Sequence, residues 1–361
     1  MLKAYKYRIY PNKEQEEYFA KCFGCKRFIW NQMLNDKIEY YSKTGESLNN
    51  TPAQYKAKYP WLKEIDSLIL ANPQMDLQKA YKNFFRDKSV GFPKFKSKKT
   101  NCYSYTTNNQ KDTIYIDKGY IKIPKLKTMI KIKQHRDFIG LIKSTTISKT
   151  CSGKYYISIL VDAEHYFPPE AENKIGIDMG LDVFCALSNG TKIQNPRFIK
   201  QYENKLAYEQ RKLSRKTKGS KRYEKQRIKV AKIHEKISNC RKDFLHKLSN
   251  VITNENQVII METLSSKEVQ QNKQLSKSVS DVSWFEFGRQ LEYKSKWKGR
   301  TFYKIDKWYP SSQICSCCGY NDGKHSLDIR EWTCPNCNTH HDRDINASIN
   351  ILTQGIKELR L

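Results

Sequence analysis

Nowhere in the 361 residues does an apolar run approach the roughly 20 that a membrane-spanning helix requires, and the opening MLKAYKYRIYP lacks the apolar stretch of a secretory leader. A cytoplasmic protein with no membrane partner is expected. There is no fixed-period repeat and no long low-complexity linker, which argues against a solenoid or a tethered tail. Acidic residues are scarce too: 37 Asp and Glu stand against 66 Lys and Arg, a net charge of +29. Hydrophobic residues make up 38%, so this charge sits on a folded chain long enough for two or three domains, and its default partner is a polyanion. The 12% of aromatic residues, 23 Tyr among them, add stacking surface for unpaired bases and favour nucleic acid over lipid.

The pattern of the chain is mixed. Leu2 to Tyr10 alternates apolar and polar residues, predicting a strand, and Pro11 and Asn12 precede a helix start at Lys13. Residues 13–86 read as helical, with a Pro-containing break near residues 51–60. Residues 91–165 carry short alternating runs (TIYIDKGYIKI, MIKIKQ, IKSTTIS, KYYISILVDA), predicting an antiparallel barrel or sandwich able to accept the N-terminal strand. After FPPEAENK an α/β domain is expected, with strands in IGIDMGLDVFCALSNG and VIIMETL. Residues 200–250 hold seventeen Lys and Arg against five Asp and Glu on a mostly helical pattern broken near Gly219; so lopsided a face suits phosphates. Residues 265–283 are polar enough for a loop that could act as a lid.

Eleven cysteines in a reducing compartment do not suggest a disulfide framework, and five of them lie between Cys315 and Cys337. Cys315, Cys318, Cys334 and Cys337 form two CxxC pairs fifteen residues apart, a spacing that gives tetrahedral zinc four thiolates in a structural site. Cys317 lies inside the first knuckle and is not expected to be a ligand. The pair Cys22 and Cys25 has no matching second pair and reads as two small buried residues on a helix.

Three acids stand at strand or helix ends: Asp178 after IGI, Glu262 after VIIM, and Asp344 in HHDRDINASINIL. An isolated acid is ordinarily a surface residue or a helix cap, and Asp344 could be only the latter. An acid directly after a buried apolar run, however, meets a desolvation cost unless it is hydrogen-bonded or metal-bound. Phosphodiester hydrolysis by two hard divalent ions, magnesium or manganese, requires such a carboxylate set. Asp182 and Asp342 lie close by, Asp342 being the main rival for the third position.

KAYKYRIYPNKEQEEYF with FGCKRFIWN, FPKFKSKK, IGIDMGL, VIIMETL, WYPSSQICSCCG and WTCPNCNTHHDRDINASINI together resemble the TnpB family, the OrfB-type proteins of bacterial insertion sequences related to type V CRISPR nucleases. The resemblance runs nearly end to end. It implies a RuvC-like, RNase H-like nuclease domain over residues 171–312 and 339–361, with Asp178, Glu262 and Asp344 as magnesium ligands and a zinc ribbon inserted at 313–338. It further implies a β-barrel wedge domain at 1–12 and 91–170 and a helical recognition lobe at 13–90. The expected activity is cutting of double-stranded DNA, directed by a guide RNA from the element's end and a short motif beside the target. Gln74, Gln78 and Lys82 are candidates for reading that motif, and Arg211, Lys212, Arg215, Lys221 and Arg222 for holding the nucleic-acid backbone. Rival readings are an RNA-guided repressor that binds without cutting, a transposase proper, and a basic RNA-binding protein with a structural ribbon.

Overall fold

The computed structural model describes residues 1–87, 89–100, 103–164, 167–263, 282–326 and 328–361, and the chain divides into two compact units, residues 1–165 and 166–361. In the first unit Leu2–Tyr10 is a strand (β1), as its period of two predicts. Pro11 ends it, and Asn12 caps the 32-residue helix Lys13–Thr44 (α1). The Asn12 side chain accepts the backbone N–H of Gln15 while the Gln15 side chain accepts that of Asn12, a reciprocal capping box. The expected break falls between α1 and the helix Ser67–Arg86 (α3), where the short helix Pro52–Lys58 (α2) and a 3-10 turn at Pro60–Glu64 sit.

β1 is the middle strand of an antiparallel sheet of seven. The order is Tyr103–Asn108 (β2), Leu141–Lys149 (β6), Tyr155–Asp162 (β7), β1, Ile130–Lys133 (β5), Tyr120–Lys122 (β4) and Tyr115–Asp117 (β3). Helices and sheet share one hydrophobic core in which Tyr7, Phe19, Tyr105 and Ile159 are fully buried. Cys22 and Cys25 lie in that same core, the bland outcome expected for them.

The second unit is built on five strands, in the order Lys192–Gln194 (β10), Val183–Leu187 (β9), Asn173–Met179 (β8), Asn256–Glu262 (β11) and Thr301–Ile305 (β12). β8 and β9 form an antiparallel hairpin, whereas β8, β11 and β12 run parallel. The basic stretch is a hairpin of two helices, Phe198–Ser214 (α4) and Lys221–Glu255 (α5), with Gly219 at φ 89° in the turn. Trp284–Lys298 (α6) precedes β12, and Arg343–Leu359 (α7) follows the cysteine-rich segment and its hairpin, Glu331–Thr333 (β13) and His340–Asp342 (β14). Of the expected lid, residues 265–281 lie outside the described residues.

Strand period sorts the side chains of β8 and β11 onto two faces. Ile175, Ile177, Ile259 and Met261 pack in one cluster with Leu245 and Ile252 of α5 and with Phe287 and Leu291 of α6. Val258 and Ile260 pack instead with Ile351 of α7. Gly176 lets α7 approach so closely that a Cβ at this position would run into the Ser348 carbonyl and Leu352; Gly355 of α7 is fitted in the same way against Ile260. By parity with Gly176 and Ile260, Asp178 and Glu262 belong to the face that α7 covers.

Candidate functional site

The register of β8 and β11 sets Ile177 opposite Met261, so one residue further on Asp178 and Glu262 stand side by side at the carboxyl ends of two parallel strands. That end of an open α/β sheet is where such folds collect their ligands. The two carboxyl groups share a hydrogen bond. Both residues are half-buried. Burial holds Asp178 well above the usual carboxylate range, and the charges of Glu262 and Asp344 push it in the same direction. Burial likewise pushes Glu262 up to about 7, against the pull of the Met179 backbone and of Asp178. At neutral pH and without a cation, the pair therefore retains a proton.

Both acids line a cavity of about 450 Å³, together with Asp344, Asp182, Trp284, Ser311, Ser312, Arg330 and Arg343. Asp344 comes from the first turn of α7. Its rival Asp342 is engaged elsewhere, because its Oδ1 accepts the backbone N–H groups of Asp344 and Ile345 at 3.1 Å each and so makes it the N-cap of α7. The Oδ2 of Asp342 lies 2.5 Å from the Lys192 ammonium, which also reaches Asp344 at 3.4 Å. Asp182 sits exposed between Arg197 at 2.9 Å and Arg330 at 2.8 Å. Four carboxylates, Asp178, Asp182, Glu262 and Asp344, line this cavity, and oxygen is the donor that hard divalent ions such as magnesium or manganese select.

The four cysteines expected to act together do converge: their sulfur atoms all lie within 4.8 Å of one another. Cys315 to Cys337 and Cys318 to Cys334 are each 3.6 Å apart. Thiolates around tetrahedral zinc, with bonds of about 2.3 Å, lie roughly 3.8 Å from each other, a spacing close to that of these two pairs. Both knuckles have the same local form. The N–H of Gly319 bonds to the carbonyl of Cys315 and that of Asn338 to Cys334, each at 2.9 Å. The Thr339 hydroxyl pulls the Cys337 thiol down to about 6, and the Asn336 amide lowers Cys318, whereas burial pushes Cys315 up to about 12. Cys317 is exposed and stands outside the set.

Of the expected nucleic-acid contacts, Arg211, Lys212, Arg215, Lys221 and Arg222 are all exposed and cluster where α4 turns into α5. Gln74 is half-buried on α3, while Gln78 and Lys82 are exposed one turn apart. Gln78 borders a groove of about 810 Å³ lined by Tyr41, Tyr81, Phe84, Phe85 and Phe92. Lys192, Arg330 and Arg343 went unrecognised in the sequence. The charge alternation of DRD at residues 342–344 was the available signal for Arg343; the other two are brought in by tertiary structure alone.

Three family models match the chain: "Probable transposase" of the OrfB type over residues 158–273, "Cas12f1-like, TNB domain" over 284–351, and "Helix-turn-helix domain" of OrfB over 1–46. Residues 1–46 hold a strand and one continuous helix rather than two helices about a turn. A chain from the cryo-EM structure of the Cas12f1–sgRNA–target DNA complex superposes with a TM-score of 0.63 at 15% identity, covering 94% of this chain and 83% of that one. The fold is therefore the mixed α/β architecture of Cas12f1-type proteins. Over 98% of its length the sequence is 35% identical to a protein of Streptomyces pristinaespiralis provisionally named an RNA-guided DNA endonuclease, covering 89% of that relative. It is 31% identical, again over 98%, to InsQ of Escherichia coli K12, provisionally named likewise, with 92% of InsQ covered. The chain belongs to the TnpB family.

Proposed function

We propose that the protein is an RNA-guided, metal-dependent endonuclease acting on double-stranded DNA. Its partners are a guide RNA from the end of an insertion sequence and a DNA target bearing a short adjacent motif, and its ion-holding carboxylates are Asp178, Glu262 and Asp344. The observation that carries this reading is the Asp178–Glu262 pair, two acids pressed together on the α7 face of the sheet. Among the described residues neither forms an ion pair with Lys or Arg. Two acids in this position are a liability to folding unless a cation joins them. Two magnesium or manganese ions bound there would supply the activation of water and stabilisation of the leaving oxygen that phosphodiester hydrolysis needs.

The chain's own residues do the positioning. Parity of β8 and β11 aims the first two acids at α7, Asp342 caps that helix so that Asp344 meets them across the cavity, and Arg330 and Arg343 bring positive charge to its wall for a phosphate. We read the five-stranded sheet with α5 to α7 as RuvC-like, and residues 313–338 as a zinc ribbon held by Cys315, Cys318, Cys334 and Cys337. The seven-stranded sheet is read as the wedge and residues 13–90 as the recognition lobe. The exposed basic residues at the α4–α5 turn suit the backbone of a guide–target duplex.

The test is to co-express the protein with the non-coding flank of its gene, sequence the RNA that copurifies, and challenge the complex with a plasmid library matching that RNA. Magnesium-dependent cutting that disappears in Asp178→Ala is the expected result. Bound RNA with binding but no cutting would establish a repressor, and activity indifferent to RNA would establish a transposase.

A further inference from the structure

The helix that carries Asp344 is fastened to the first cysteine knuckle by side chains that belong to neither donor set. Asn346, two residues past Asp344 and 1% exposed, accepts the Ser316 N–H through Oδ1 at 2.8 Å and donates through Nδ2 to the Ile314 carbonyl at 2.8 Å. It thus grips both residues that flank Cys315. One turn later Asn350 donates to the carbonyls of Ser311 at 2.8 Å and Ile314 at 2.6 Å. From β14, buried His341 brings Nε2 to 3.0 Å from the Cys315 sulfur, its ring packed on Trp332 at 4.9 Å. The residue after it, Asp342, is the cap of α7. A buried amide satisfied at both ends, as that of Asn346 is, fixes a geometry more tightly than apolar contact does, because no shifted arrangement satisfies it equally.

We propose that Asn346, backed by Asn350 and His341, is a positioning residue that couples the four-cysteine site to the carboxylate site. An ion on the four sulfurs fixes residues 314–316, Asn346 passes that constraint to the first turn of α7, and Asp344 is thereby held where Asp178 and Glu262 can share an ion with it. His341, by donating to the Cys315 thiolate, sets the orientation of the knuckle that Asn346 grips. Linkage makes the effect mutual: zinc tightens the carboxylate site by the same factor by which the carboxylate ions tighten zinc. This rests on the reading of the three acids as metal ligands.

The experiment compares guide-RNA complexes of wild type, Asp178→Ala, Asn346→Ala and His341→Gln. Manganese binding is titrated by electron paramagnetic resonance, and the sulfur site is monitored by zinc content and by the thiolate-to-metal absorption of cobalt-substituted protein. Asn346→Ala is expected to keep its zinc and its cobalt spectrum yet bind manganese roughly 10-fold more weakly. Removing zinc from wild type should weaken manganese by a similar factor, and removing it from Asn346→Ala should add nothing. If Asn346→Ala loses zinc outright, His341→Gln, which retains an N–H donor, and Asn350→Ala carry the same comparison. Manganese affinity in wild type that ignores zinc, or in Asn346→Ala that equals wild type, overturns the coupling and leaves the nuclease reading intact. Manganese binding unaffected by Asp178→Ala overturns both.

Discussion

Asp178 and Glu262 owe their chemistry to where an apolar run ends. Each follows residues that must be buried, so each is delivered to the edge of the apolar interior, where a charge is poorly solvated. The pH dependence follows. A folded-state value near 7 for Glu262, against an ordinary 4.5, means that the native protein holds a proton which the unfolded chain has released between those values. That contribution to stability is fully present below the ordinary value and is lost as pH rises through about 7. In magnesium-free protein the thermal midpoint is therefore expected to fall between pH 5 and 7, and Glu262→Gln to flatten that decline, as calorimetry would show. Asp178→Ala should lower cleavage by at least about a thousandfold while leaving guided DNA binding, measured by gel shift, within a few-fold of wild type. The placing of these two acids at the ends of buried strands was legible in the sequence because burial of VIIM and IGI is a local property. Which of Asp342 and Asp344 caps α7 was not: both lie within one turn of a helix start, and only the fold shows that Asp342 does. Lys192 was invisible, being brought to Asp342 across 150 residues of sequence.

Among the elements, α7 decides whether the proposed carboxylate site forms, since it carries Asp344 and packs on the sheet face to which Asp178 and Glu262 belong. Its contact with β8 depends on an absent side chain at Gly176. Gly176→Ala must push helix and strand apart, and is expected to cost about 1–3 kcal/mol of stability by denaturant titration along with most of the cleavage. The cysteine hairpin has only the small cluster of Cys315, Trp332 and Cys334 for a core, so on the zinc reading its fold depends on the ion. Cys334→Ser should release zinc and lower the thermal midpoint of the second unit by several degrees, a fall that added zinc does not reverse. The convergence of the four cysteines was the most legible feature, since CxxC spacing is local, whereas the strands of the hairpin were not foreseen. Strand neighbours were harder to read: that β8 lies between β9 and β11 is fixed by packing of α5 and α6 on one face and α7 on the other, which no single segment encodes.

For the molecule as a whole, a charge of +29 makes affinity for nucleic acid steeply dependent on salt. Replacing Lys221 and Arg222 by Gln should weaken guide-RNA or duplex binding without regard to sequence, and reduce the slope of log affinity against log salt by about 1 for each phosphate no longer neutralised. A slope that stays constant would remove the α4–α5 turn from the interface.

The central place of β1 also constrains how the protein is made. Leu2–Tyr10 leaves the ribosome more than a hundred residues before its two partners, Ile130–Lys133 and Tyr155–Asp162, with Leu2 paired to Asp162. Helix α1, carrying its own cap, can form at once, while the strand before it waits for Ile130–Lys133 and has its second edge covered only when the last strand of its sheet has been synthesised. The first unit is therefore completed late. A ribosome stalled before residue 155 would hold a nascent chain with helices in place and Tyr7 and Ile9 still without a core, the species that chaperones would meet.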